Sequence, residues 1–316
     1  MPESLESWKD LIGSRQVQSK TSQIWSRVPE NLKGCGWLLI ASLLFTIMTA
    51  AIKDVGQRIP VWEILFVRQI CVILILSPRL VQSFPGAFKT KRLSLHGARI
   101  FCSVCAMATG FTAVIHMSLA DATAISFART LFITLLAAFI LKEVVDHKRW
   151  GPTIFGFIGV LIVLHPSFDG IDFYAFLAII SAVFVSFIMI LTRVLTKTES
   201  PVTIMTYQSF GLAIAFAIPA YLYWEVPTVM EFVAMLLTGV VMSMAQYSNI
   251  QAYKHGEASA VQPMEYSRLI FAGLIGIMFF QESLDLLTIT GSLVIFAGAA
   301  YSVKEMKRDQ RNTTDE

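Results

Sequence analysis

A chain of 316 residues would ordinarily hold one large or two medium water-soluble domains. Here 55% of the residues are hydrophobic and only 15% charged, with a mean hydropathy of +0.64, against roughly 45–50% and 25% in soluble domains. A spanning helix uses about 20 residues, so about ten fit with short loops, which leaves no room for a soluble second domain and argues strongly against a water-soluble enzyme.

Residues 1–35 are polar and carry Lys9, Arg15, Lys20, Arg27 and Lys33. No apolar stretch before a cleavage site is present, so no signal peptide is expected. The segment reads as a cytoplasmic tail; the helical spacing of Trp8, Leu11 and Ile12 leaves a short interfacial helix open. Ten apolar runs follow, at about 36–53, 61–81, 95–118, 122–142, 149–165, 171–194, 202–223, 229–253, 258–280 and 286–304. Each is too long for a barrel strand of about 9–11 residues. Helices also satisfy their own backbone hydrogen bonds in lipid. The expected fold is an all-α integral membrane protein with ten transmembrane helices. They form two units of five, 36–165 and 171–304, and residues 305–316 are a second tail.

The net charge of +3 hides a sorted distribution. Of 25 Lys and Arg residues, 19 fall in the tails and in the loops on one face, and only Lys53 and Arg58 on the other. That bias places the basic face in the cytoplasm, with both termini, and requires an even number of spans. The location is a bacterial-type inner (cytoplasmic) membrane, and the sequon at Asn312 is then cytoplasmic.

The chain also resembles itself. Asp121-Ala122-Thr123-Ala124 opens the fourth run and Glu257-Ala258-Ser259-Ala260 the ninth. Phe127-Ala128-Arg129 matches Tyr266-Ser267-Arg268, Lys142-Glu143 matches Gln281-Glu282, and Gly159 matches Gly298. The offset grows by three residues near Pro263, which predicts a locally broken helix there. Five spans per copy is an odd number, so the second copy enters the membrane from the opposite side. Such inverted repeats build many secondary transporters, with the solute at the midplane between the halves.

The same strings carry a family resemblance. Leu119-Ala120-Asp121-Ala122-Thr123-Ala124-Ile125-Ser126-Phe127 precedes Leu131-Phe132-Ile133-Thr134-Leu135-Leu136-Ala137-Ala138. Leu141-Lys142-Glu143, Gly156-Phe157-Ile158-Gly159-Val160 and His165-Pro166 follow, then Glu265-Tyr266-Ser267-Arg268-Leu269 and Phe280-Gln281-Glu282. Over about 36–304 the chain resembles the EamA-type ten-helix members of the drug/metabolite transporter superfamily. The resemblance implies export or uptake of a small metabolite. It departs from relatives that carry proline in the fourth span, where this chain has Arg129 or Thr130.

Charges inside a span cost several kcal/mol and usually face a cavity or a partner. Arg68, Arg99, Arg129 and Arg268 fall inside runs. Arg129 and Arg268 occupy matched positions and are the first candidates to clamp an anionic group of the solute, with Arg68 next. A structural ion pair is the alternative. Arg99 is near enough to the basic face to snorkel. Glu265, three residues before Arg268, either pairs with it or serves as a proton-coupling site. Lys53 is a candidate gate at the outer face, and Glu143 and Glu282 are anchors or gates. Tyr266, Gln246 and Asn249 are candidates for orienting the solute, within a polar set that includes Tyr247 and Gln208. Asp121 and Glu257 are expected to cap helix starts.

Gly151, Gly156, Gly159, Gly291 and Gly298 suit close packing within the chain or in a homodimer. Cys102 and Cys105 form a lone C-x₂-C, which reads as packing rather than metal or redox chemistry. No P-loop or catalytic motif is present, so neither a cofactor nor nucleic acid is expected. The expected partners are a small-molecule substrate, the bilayer and a proton as coupling ion. The sequence points to secondary active transport of an amino-acid-like, anionic or zwitterionic solute by alternating access; a passive facilitator and a membrane-embedded enzyme stay open.

Overall fold

A computed structural model describes residues 29–82, 84, 88–140, 147–164, 172–196, 198–255, 262–283 and 285–297. The helices in chain order are α1 (Glu30–Val55), α2 (Val61–Gln82), α3 (Leu93–His116), α4 (Leu119–Ser126), α5 (Arg129–Ile140), α6 (His147–Leu164), α7 (Phe173–Leu195), α8 (Pro201–Leu222) and α9 (Val229–His255). A 3₁₀ segment (Gln262–Tyr266) leads into α10 (Ser267–Phe280), and α11 covers Leu286–Ala297. Every regular element among the described residues is helical. Among the described residues six helices, α1, α2, α3, α7, α8 and α9, are each long and apolar enough to cross a bilayer. Shorter apolar stretches, Ile154–Val163 in α6 and α11 itself, account for the fifth and tenth runs.

Helix starts follow local chemistry. Ser200 caps α8 by accepting from the Thr203 amide at 3.1 Å, with Pro201 at the first helical position. Asp172 caps α7 by accepting from the amides of Tyr174 and Ala175. The cap of α4 is Ser118, which accepts from the Asp121 amide at 3.0 Å. Asp121, expected to be the cap itself, lies in the first turn and accepts from the Thr288 hydroxyl. Glu257, its matched residue, lies outside the described residues, as do Glu143 and Gly298.

The two halves exchange partners in a regular way. α1 packs on α9, and α7, the matching helix, packs on α3. α2 meets α9 as α8 meets α3, and α2 meets α8. α1 packs on the 3₁₀ segment and α10, as α7 packs on α4 and α5. This pairing is what two interlocked five-helix repeats related by a pseudo-two-fold axis require. Five crossings separate α1 from α7, so matched helices run in opposite directions.

Both the fourth and the ninth runs are broken at matched places. Between α4 and α5, the amides of Phe127 and Ala128 bond the carbonyls of Ala124 and Ile125 at 3.1 and 2.9 Å. These tightened i→i−3 bonds turn the chain without a proline. In the ninth run the 3₁₀ segment that contains Pro263 ends at Tyr266. The two breaks touch: the Phe127 and Tyr266 rings stack with centroids 4.9 Å apart.

The outer surface is apolar, as lipid demands. Ile214, Ile218, Leu237, Ile270 and Leu293 are exposed there, and Tyr221, Tyr223 and Trp224 cluster at the end of α8, where amphipathic rings suit an interface.

Small residues decide how α6 meets α11. A Cβ on Gly159 would lie 2.7 Å from the Gly291 carbonyl oxygen, and one on Gly291 would lie 2.6 Å from the Gly159 carbonyl oxygen. The contact is reciprocal and allows close backbone approach. Gly156, one turn earlier, faces open space. Replacing Gly159 or Gly291 with alanine is therefore expected to destabilise the protein by about 1–3 kcal/mol, while Gly156→Ala does not. Thermal unfolding of the detergent-solubilised variants checks this, and equal losses in all three would refute the assignment.

Candidate functional site

The faces of the bundle follow from chain order. The basic face carries the start of α1, the end of α2, the start of α3, the end of α7, the start of α8 and the end of α9. The opposite face carries Lys53, the α3–α4 turn and the end of α10.

A cavity of about 280 Å³ lies between the halves, lined by all three candidate arginines, Arg68, Arg129 and Arg268. Phe45 and Met48 from α1, Met107 and Phe111 from α3, Ser126 from α4 and Ser181 from α7 complete much of its wall. A second lobe of about 300 Å³ adjoins it toward the basic face and shares Arg68, Met107, Gln208 and Met242 with it.

Arg68 sits where the two lobes meet and is only 2% exposed. Its guanidinium has no carboxylate partner among the described residues. Nη2 lies 3.3 Å from the Met107 sulfur and Nη1 4.0 Å from that of Met48. Both are weak acceptors. The guanidinium also stands 5.2 Å from the centre of the Phe111 ring, and its buried Nε has no partner. A cation–π contact offers about 0.5–2 kcal/mol, less than the several kcal/mol needed to desolvate a charge.

Arg129 and Arg268 are arranged differently. Arg129 forms an ion pair with Glu265 across the two halves, and Arg268 Nη1 lies 3.8 Å from the same carboxylate oxygen. One carboxylate thus serves two guanidinium groups. Phe127 stands 5.2 Å from Arg129, and Phe45 stands 5.3 Å from Arg268. Just after the break, the Ser186 hydroxyl donates to the Arg129 carbonyl at 3.0 Å. The Arg268 Nε is buried without a partner.

Lys53 is outside the cavity, on the opposite face. Its ammonium donates to the Met117 carbonyl at 2.6 Å and forms an ion pair with Glu282. The Glu282 carboxylate also accepts from the Leu119 amide at 2.9 Å. The pair therefore ties the ends of α1 and α10 to the α3–α4 turn. Gln281 ends α10 in the left-handed conformation, with φ of 52°. The Glu282 amide then bonds back to the Gly276 carbonyl at 3.0 Å. The missing side chain at Gly276 leaves the space that the Glu282 carboxylate fills. On the same face, hydrogen bonding to Glu231 holds the Arg58 guanidinium above its ordinary pKa.

The other candidates separate. Gln246 lines the second lobe together with Tyr247 and Gln208. Asn249 lines neither lobe. Tyr266 stacks on Phe127 and borders an apolar groove between α10 and α11. Arg99 donates to the Thr192 hydroxyl at 2.8 Å, away from the cavity. Gln69, Met48 and Met107 were not singled out from the sequence, although a glutamine beside Arg68 inside an apolar run was a readable signal.

Comparison with known proteins agrees with this architecture. A family model described as the EamA-like transporter family matches twice, over residues 32–165 and 172–303. An S-adenosylmethionine uptake transporter of Rickettsia prowazekii is 26% identical over 280 residues, 88% of this chain and 94% of that protein. A riboflavin transporter of Brucella anthropi is 25% identical over 279 residues, 85% of this chain and 97% of that protein. A crystal structure of 17% identity superposes with a TM-score of 0.62 over 87% of this chain and 98% of its own, which shows the fold alone. The family is one of transporters rather than enzymes, and the substrates named for these two relatives are small metabolites. The chain is a multi-pass membrane protein that belongs to the EamA-like transporter family.

Proposed function

We propose that the chain is a secondary active transporter of a small anionic or zwitterionic metabolite, amino-acid-like in its acidic group, working by alternating access. Arg68 carries the reading: a guanidinium 2% exposed, at the junction of two lobes, held by thioethers and a ring instead of a carboxylate. An anionic group of the solute gives it the charge-assisted hydrogen bonds that the protein does not. Arg129 and Arg268 hold a second anionic position that Glu265 occupies at rest. An incoming anion displaces Glu265, which takes up the coupling proton. Orientation follows the 19-to-2 bias, with the basic face and both termini in the cytoplasm. The Lys53–Glu282 pair is then the outer gate, and the second lobe lies on the cytoplasmic side. The solute named for the Rickettsia relative carries an amino-acid group, which fits the reading.

Proteoliposomes with an imposed pH gradient test it, using labelled amino acids, organic anions, S-adenosylmethionine and riboflavin. Accumulation that collapses with a protonophore is expected. Equilibration without accumulation indicates a facilitator, and no flux of any solute refutes transport. Arg129→Ala and Arg268→Ala are each expected to lower transport at least ten-fold, because a charged hydrogen bond contributes about 1.5–3 kcal/mol. Expression and thermal stability of both variants should stay near wild type, and wild-type rates would remove the clamp.

The gate has its own measurement. In a background without native cysteines, Ala122→Cys places a thiol on the cavity wall. Adding Glu282→Gln is expected to speed its labelling by an impermeant reagent from outside several-fold. An unchanged labelling rate would show that the pair does not close that side.

A further inference from the structure

The second lobe holds chemistry that an anion clamp does not use. Three glutamines, Gln69, Gln208 and Gln246, line it with Ser209, Ser243 and Tyr247. Gln69 is 5% exposed, yet its amide, like those of Gln208 and Gln246, has no hydrogen bond to another described residue. None of these amide atoms is enclosed, so they stay open to hydrogen bonds from a solute in the lobe. Tyr247 accepts from Gln251 Nε2 at 2.6 Å, which leaves its hydroxyl proton to donate elsewhere. Among the described residues, no carboxylate lines either lobe.

Amides have a specific complement. Each presents a carbonyl acceptor and an N–H donor side by side. That pair matches the adjacent N–H and C=O of a lactam or imide edge, as glutamine matches a base edge in a bidentate contact. Several amides around one lobe are enough to meet several edges of one flat ring. The remaining wall suits the ring faces: Met107, Met205 and Met242 are polarizable and adapt to an aromatic surface. A lobe of about 300 Å³ lies at the lower end of ordinary small-ligand pockets.

We propose that the second lobe is a recognition subsite for a neutral, flat heterocycle with a lactam or imide edge. The solute is then an anion of two parts, with its heterocycle among the glutamines and its acidic group at the arginines. Arg68, shared by the two lobes, holds the region where the parts join. The proposal rests on the transport reading for the role of the first cavity, and it adds what distinguishes this solute from a simple small anion.

Equilibrium binding to the full-length protein in nanodiscs tests it. The two-part probes are orotate, uridine 5′-monophosphate and flavin mononucleotide. The heterocycle-free probes are succinate, glutamate and glycerol 3-phosphate. At least one two-part probe is expected to bind ten-fold or more tightly than every heterocycle-free anion. Gln69→Leu and Gln246→Leu should each reduce that preference at least five-fold. Gln246 is exposed, so its variant keeps the test intact if the buried Gln69 variant misfolds. Equal binding by a heterocycle-free anion, no binding by any two-part probe, or an unchanged preference in the Gln246 variant overturns the proposal. Binding without flux in proteoliposomes would instead remove the transport reading and leave the subsite standing.

Discussion

Unbalanced positive charge in the middle of an apolar bundle is the constraint on which the rest of the structure depends. Three guanidinium groups line one cavity, and among the described residues one carboxylate, Glu265, answers two of them. Each arginine also has a phenylalanine ring just over 5 Å away. These rings offset part of the desolvation and hold each guanidinium in place without neutralising it. Apolar helices packed directly together could not accommodate such charges. The charges face a cavity instead, and Arg129 and Arg268 stand just after the breaks in the fourth and ninth runs.

The duplication explains how both breaks come to face each other. Arg129 and Arg268 follow matched interruptions, and the preceding rings, Phe127 and Tyr266, stack across the axis. The two breaks are therefore in direct contact. The reciprocal Gly159–Gly291 contact brings α6 and α11 together on the side of the same pair of breaks. Val160 and Ile295, next to and one turn from these glycines, share a buried cluster with Phe127, Ala128 and Leu269.

The two faces of the bundle are treated unequally. On one, Lys53, Glu282 and the Leu119 amide join three chain segments with charge-assisted bonds. Toward the other, the second lobe opens among glutamine and serine side chains. Alternating access, as proposed for this chain, requires one side to be held while the other admits solute, and polar contacts that can be exchanged suit that requirement.

Much of this was legible in the residues alone. Apolar run length dictates helices because lipid leaves the backbone no other partner. Charge placement indicates an even number of crossings, and repeated strings at a shifting offset mark the duplication and the break near Pro263. That Arg68, Arg129 and Arg268 need a cavity or a partner follows from the cost of charge in a span, and all three line one cavity. Tertiary structure alone decided which partner each found. Glu265 lies three residues from Arg268 but pairs more closely with Arg129, from the other half. Tyr266 and Asn249, equally polar on paper, line neither lobe, whereas Gln69 does. A sequence records which groups need partners, because that depends on their own hydration. Which partner is within about 3 Å depends on how the helices cross, and that is set by packing between segments more than a hundred residues apart.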